Sequence, residues 1–301
     1  MNPYSLLFVC MMAISADSSC ASLDPTQPLS AVPPMSLFDS WAKPIDPFQI
    51  TQDVWYVGTE NLSSVLITSP EGHVLIDAAL ETNAALIRTN IESLGFNVTD
   101  IKYLLNSHAR LDQAGGLARL KMWSGGQLVA SPDNAAQLAR GGKSDFALGD
   151  ALPFPPVHVD KIIQDKESFS LGAIQVTALF TPGHLPGATS WKIELSNGQE
   201  LLYADSLATP GYHLINNKNY PNLVADLRYS FDLLASQSPD IFIANKGNRF
   251  KLTDKRRRYY SGDKEAFIDR AGLKHYVDAS RKSFEQQLAS QQNVSTDSIN
   301  K

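Results

Sequence analysis

Cysteine is almost missing from this sequence: Cys10 and Cys20 are the only two in 301 residues, and both fall within the first 21. A chain cleaved after residue 21 has no thiol, so no disulfide framework follows and any metal must be held by His, Asp or Glu. Positive charge is also short. With 26 Lys and Arg against 31 Asp and Glu, the formal net charge of -5 creates no field that would gather nucleic acid or an anionic membrane surface. The one basic run, Lys255 to Arg258, is short and reads as a solvated face beside Tyr259 and Tyr260. Long apolar stretches are lacking too. The run Leu6 to Ile14 is far too short to span a bilayer as a helix and reads as a signal-peptide core. Small residues at Ser19 and Ala21 mark a cleavage site after Ala21, with Ala16 as the alternative, and the n-region relies on the terminal amine for its positive charge. Export is the expectation, with no membrane contact in the mature form.

What remains is an ordinary globular composition. The 43% hydrophobic and 19% charged residues bury a large core, and 301 residues lie near the upper limit for one domain. The expected division is a signal peptide at 1–21, an N-terminal arm at 22–47 and one domain at 48–301. The arm, rich in proline, has no sustained period. From Val54 to Val57, Ser64 to Thr68 and His73 to Asp77 the sequence alternates or runs apolar, and Ser69 to Gly72 supplies a turn, which predicts a β meander. Thr82 to Leu94 carries Leu86, Ile87, Ile91 and Leu94 at helical spacing, with Gly95 where a left-handed C-terminal cap belongs.

Strands and helices then alternate. Strands are predicted at Ile101 to Leu105, Gln127 to Ala130, Ile174 to Phe180, Leu201 to Ala204 and Ile241 to Ala244. Helices are predicted from Gly115, from Asn134, over Leu223 to Leu234 and over Lys264 to Gln287. This order implies one α/β domain with helices packed outside a sheet core.

Four polar clusters follow strands directly: Asn106 to Gln113, Thr181 to Gly187, Ala204 to Tyr212 and Asn245 to Asn248. Loops at one sheet edge make a site, and Gly115-Gly116, Pro182-Gly183, Pro186-Gly187 and Pro210-Gly211 let the backbone turn tightly there. Alone, Asp112 reads as a helix N-cap and His184 as a loop histidine. An ion pair between Arg110 and Asp112 would compete with metal for the carboxylate. His73, His158, His213 and His275 read as structural or surface residues, His213 being the nearest to an exception because it follows the Ser206 loop.

The loop Asn106-Ser107-His108-Ala109-Arg110-Leu111-Asp112-Gln113 resembles the His-x-His-x-Asp-His signature of the metallo-β-lactamases. Trp55 to Thr59, Gly72 to Ala79, Thr181-Pro182-Gly183-His184 and Ala204-Asp205-Ser206-Leu207 are similar, in the same order, to the third subclass of class B, across almost the whole mature chain. The resemblance implies a four-layer αβ/βα sandwich, a bacterial periplasmic or secreted enzyme, and a monomer acting on a small-molecule β-lactam. His108, Asp112 and His184 match metal ligands of that family, with Asp112 also a catalytic candidate; Ser206 matches a serine that donates to the substrate carboxylate, and Lys246 is a candidate to bind the same carboxylate or to supply charge in place of a second metal. Asp205 is not a ligand in this subclass.

Arg110, Gln113 and Lys246 stand where the family has His, a pattern that resembles a minority variant of the subclass. A guanidinium has no free lone pair, and an ammonium with a reference pKa of about 10.4 repels a cation. Two imidazoles and a carboxylate remain, the donor classes of single-zinc hydrolases, so one zinc per chain is expected. Such an ion gives a metal-bound hydroxide that opens the β-lactam amide bond, and with it antibiotic resistance. The rivals are another hydrolase on the same fold, such as a lactonase, thioesterase or phosphodiesterase, and a binding protein weakened in catalysis.

Overall fold

A computed structural model describes residues 23–299. The signal-peptide segment, with Cys10 and Cys20, lies outside the described residues. The strands are β1 (Phe48–Thr51), β2 (Val54–Tyr56), β3 (Val65–Ser69), β4 (Gly72–Ile76), β5 (Ile101–Leu105), β6 (Gln127–Ala130), β7 (Lys161–Ile162), β8 (Ser168–Leu171), β9 (Ile174–Phe180), β10 (Thr189–Glu194), β11 (Glu200–Ala204) and β12 (Ile241–Ala244). The helices are α1 (Met35–Trp41), α2 (Ala84–Ser93), α3 (Leu111–Ala114), α4 (Leu117–Ser124), α5 (Pro132–Ala139), α6 (Leu223–Ala235), α7 (Leu252–Tyr260) and α8 (Gly272–Ile299).

One sheet runs β1 to β7 in sequence order and the other runs β12-β11-β10-β9-β8. Period-two alternation divides the first sheet's side chains between two cores. Val65, Ile67, Val74 and Ile76 face a core shared with Ala178, Trp191 and Ile193 of the second sheet. Leu66 and Leu75 face the opposite way, onto Ile87 and Ile91 of α2 and Leu120 of α4. Phe231 of α6 and Phe284 of α8 close the far side. Helix, sheet, sheet, helix is the expected four-layer αβ/βα sandwich.

Several local expectations meet the structure directly. Gly95 takes φ +87° and Gly125 caps α4 at φ +68°, both left-handed. Helix α5 starts at Pro132, ahead of the reading from Asn134, because Ser131 caps Asn134 N–H and Pro132 opens the first turn. Other elements depart. The last helix begins at Gly272 rather than Lys264, since Asp269 N–H is taken by Asp240 O and Ile268 bridges Ile241. The basic run belongs to α7, where Lys255 is buried against Asp269 at 2.9 Å while Arg257 and Arg258 stay in solvent. No helix among the described residues is long and apolar enough to cross a membrane.

Candidate metal centre

The C-terminal ends of β5, β9, β11 and β12 all deliver loops to one edge of the two sheets. Hydrogen bonds to backbone carbonyls lock these loops together: Thr189 N–H donates to Ser107 O at 2.8 Å, the Trp191 indole donates to Asn106 O at 3.2 Å, and Ser63 Oγ donates to Ala244 O at 2.7 Å. Asp77, held at φ +58° just past β4, accepts from Ser107 N–H at 2.7 Å, Ser107 Oγ at 2.6 Å and the Tyr203 hydroxyl at 2.8 Å. Burial still pushes its carboxyl up to about 7 against those three donors.

On this frame the structure brings His108, Arg110, Asp112, His184, Ser206 and Lys246 to one cavity of about 210 Å³. The rings of His108 and His184 lie edge to face with centroids 4.9 Å apart. Each imidazole is tied by Nδ1: His108 to Asp205 Oδ1 at 2.6 Å, His184 to the Ala208 carbonyl at 2.7 Å. Both Nε2 atoms are therefore the ones left to face the cavity. That of His108 is fully buried without a hydrogen-bond partner and lies 3.5 Å from Asp112 Oδ1. The donor types fit a metal: two imidazoles whose Nδ1 atoms are tied elsewhere, and a carboxylate beside the unpartnered Nε2 of His108. Among the described residues, however, no three such groups converge on a ready metal position.

Two cations adjoin these groups. Lys246 Nζ donates to Asp112 Oδ2 at 2.6 Å. Arg110 Nη1 sits 3.4 Å from His184 Nε2. The alternative of an Arg110–Asp112 pair is not formed. Arg110 instead makes a two-pronged bridge to Asp145, at 2.7 and 2.8 Å, and donates to the Tyr212 hydroxyl at 2.5 Å, because its extended backbone (φ -119°, ψ 160°) aims it away from α3. Gln113 Nε2 donates to Asn245 O at 2.9 Å. The side chains at the three altered positions are thus engaged with protein groups.

These charges move the titrating groups. Burial alone would depress His108, but the Asp205 and Asp112 carboxylates outweigh it and lift the imidazole to about 10. Burial, with Arg110 and His108 nearby, drives His184 down to about 3. Burial opposes ionisation of Asp112, yet Lys246 and His108 hold it well below the usual carboxylate range.

Asp112 does not act as a side-chain N-cap; Arg110 holds the cap position of α3 and no side chain caps it. His213 does not line the cavity. Sequence reasoning passed over Asp205 as a partner of His108, and also Asp145, Tyr212 and Trp41; a buried Arg requires a carboxylate, but nothing in the sequence says which.

The model of the metallo-beta-lactamase superfamily matches residues 57–244. A solved metallo-beta-lactamase of Cronobacter sakazakii described by its HARLDQ motif, the string His108 to Gln113 spells here, is 64% identical and covers 90% of this chain and 99% of its own, with a TM-score of 0.90. The subclass B3 metallo-beta-lactamase BJP-1 of Bradyrhizobium japonicum is 32% identical and covers 84% of this chain and 97% of its own, with a TM-score of 0.79. Among curated proteins, the N-acyl homoserine lactonase AttM of Agrobacterium fabrum (strain C58) is 29% identical over 170 residues, which is 46% of this chain and 61% of that protein.

Proposed function

The chain belongs to the metallo-beta-lactamase superfamily, and from that premise we propose that it is a zinc-dependent hydrolase of the β-lactam amide bond, exported to the periplasm and conferring β-lactam resistance as a monomer. The mature chain would run from Ser22, with the arm at 22–47 and the catalytic domain at 48–301. The observation that carries the reading is the pair of imidazoles tied through Nδ1 beside Asp112, in a cavity shared with Ser206 and Lys246.

His108, His184 and Asp112 would hold one ion. When bound, it supplies Lewis acidity, lowering the pKa of water towards roughly 7 and polarising the lactam carbonyl. Asp205 and the Ala208 carbonyl keep both Nε2 atoms pointed inwards, and on His108 the ion would take the place of the proton that the neighbouring carboxylates favour. Asp112, kept ionised by Lys246, would serve as the carboxylate of the donor set, and the proton lost by the attacking water goes to the lactam nitrogen as the C–N bond breaks. Lys246 offers a point charge to the substrate carboxylate or to the departing nitrogen. Ser206 Oγ accepts from Ala208 N–H at 3.3 Å, which leaves its own hydrogen free to donate to the same carboxylate. Phe38, Trp41 and Leu152 give the cavity an apolar wall for the rest of the molecule.

Zinc titration of the purified chain with a chromogenic cephalosporin assay tests this. About one zinc per chain and turnover abolished by chelation are expected. His108→Ala should lose both metal and turnover, whereas Lys246→Ala should mainly raise KM, the mark of lost uniform binding. Protein that neither retains zinc nor turns over substrate would favour a binding role. The lactonase relative motivates a second reading, lactone hydrolysis, which the same assay with an N-acyl homoserine lactone separates.

A further inference from the structure

The Lys246 ammonium has two partners of different kinds: Asp112 Oδ2 at 2.6 Å, and the face of the Trp41 ring with the centroid 3.6 Å away. The first is a candidate metal ligand. The second belongs to the N-terminal arm, at the end of α1. Both ends of this contact are mounted on the loop 59–62. Thr59 Oγ1 donates to Trp41 O and Glu60 N–H donates to Lys43 O at 2.8 Å, while Lys246 bridges Leu62 and Gly247 N–H donates to Asn61 O at 3.1 Å. Phe38 supports the indole from behind, edge to face at 5.2 Å.

We infer that Trp41 is a positioning residue for Lys246: the indole pins the ammonium against Asp112, so that the arm makes Lys246 a built-in competitor of the metal for that carboxylate. The inference rests on the proposed metal centre. Its physical basis is the length of the lysine side chain, whose flexible stem reaches solvent readily unless the head group is held. The Lys246 side chain is only 16% exposed, with the aromatic face on one side and the carboxylate on the other. Removing the face frees the ammonium to swing outwards for part of the time, and Asp112 is then open to a cation. Removing the ammonium leaves Trp41 nothing to pin.

The test measures zinc affinity by competition with a chromophoric chelator in the full chain and in Trp41→Leu, Trp41→Phe, Lys246→Met and the Trp41→Leu/Lys246→Met pair. Trp41→Leu should bind zinc roughly 2- to 30-fold more tightly, the range expected for losing a partly desolvated cation–π contact. Trp41→Phe should fall between it and the parent. In the Lys246→Met background the Trp41→Leu change should have no effect. A second readout needs no metal: ring current should shift the Lys246 ε-methylene protons upfield in the parent and not in Trp41→Leu. Equal zinc affinity in parent and Trp41→Leu, or the same gain with Lys246 already gone, would overturn the inference. If no variant binds zinc, the metal centre itself is wrong, and an unshifted ε-methylene in the metal-free parent would overturn the pin separately.

Discussion

Asp205 Oδ1 accepts at 2.6 Å from His108 Nδ1 and at 2.7 Å from Asn245 Nδ2, a carboxylate that does not line the cavity of the site but fixes a ring that does. Asp205→Asn keeps the shape and loses the charge, so zinc affinity should fall about 10- to 100-fold, measured by chelator competition. An unchanged affinity would mean that the imidazole is held by packing alone. The altered positions make the opposite prediction. Arg110→His, Gln113→His and Lys246→His together replace two cations and a neutral amide with good zinc ligands. The metal content should then rise from about one towards two ions per chain by elemental analysis, even where turnover falls because the substrate carboxylate has lost Lys246. Two ions tightly held in the unmodified protein would refute that account. That His108, Asp112 and His184 would meet at one cavity was legible because each sits in a short local motif. The partners of Arg110 were not, since Asp145 is 35 residues away and Tyr212 is 102.

Helix α5 and the loop after β9 illustrate how elements hold the site. Gly187 lies against the first turn of α5, where an added Cβ would stand 2.3 Å from Asn134 N, and Ser131 Oγ donates to Gly187 O at 2.6 Å. Gly187→Ala must push the helix and the loop apart, so a loss of about 1–3 kcal/mol is expected. Thermal unfolding should begin several degrees lower, and zinc affinity should fall too because the loop carries His184; an unshifted melt would show that the contact relaxes freely. Strands with clean alternation or apolar runs were readable, among them β3, β4, β5, β9 and β12. Strand β10 was not: its Thr189-Ser190-Trp191 start looks polar, yet Thr189 and Ser190 are fully buried because Ser190 Oγ meets Thr181 Oγ1 and Asp205 N–H. Helix α1 escaped notice for a different reason. It is seven residues long, follows a proline pair and buries only Phe38, so its stability comes from docking on the loop 59–62 rather than from a periodic pattern.

At the scale of the molecule, the edge of the two sheets where the loops gather holds buried polar groups, and this gives stability a pH signature. Asp77 joins β4, β5 and β11 through Ser107 and Tyr203, and burial raises its carboxyl to about 7. A raised carboxyl pKa means that the folded state keeps the proton longer than the unfolded chain does. The contribution of Asp77 is then fully present below about pH 4, the unfolded value, and is lost as pH rises through about 7. Denaturant unfolding of the metal-free parent and of Asp77→Asn should therefore converge or cross between those limits, with the parent losing ground at no more than about 1.4 kcal/mol per pH unit. Parallel curves would show that its hydrogen bonds cancel the burial. The layered α/β class, the edge at which the loops gather and the types of donor side chain brought there could be read along the chain. These depend on residue type and short-range pattern, which the chain carries locally. Only the tertiary structure decided which cation meets which carboxylate, that Lys246 takes Asp112 and Arg110 takes Asp145, and that an aromatic ring of the arm closes over Lys246. Those choices depend on distances between segments far apart in the chain, set when the two sheets pack face to face, and no local pattern encodes them.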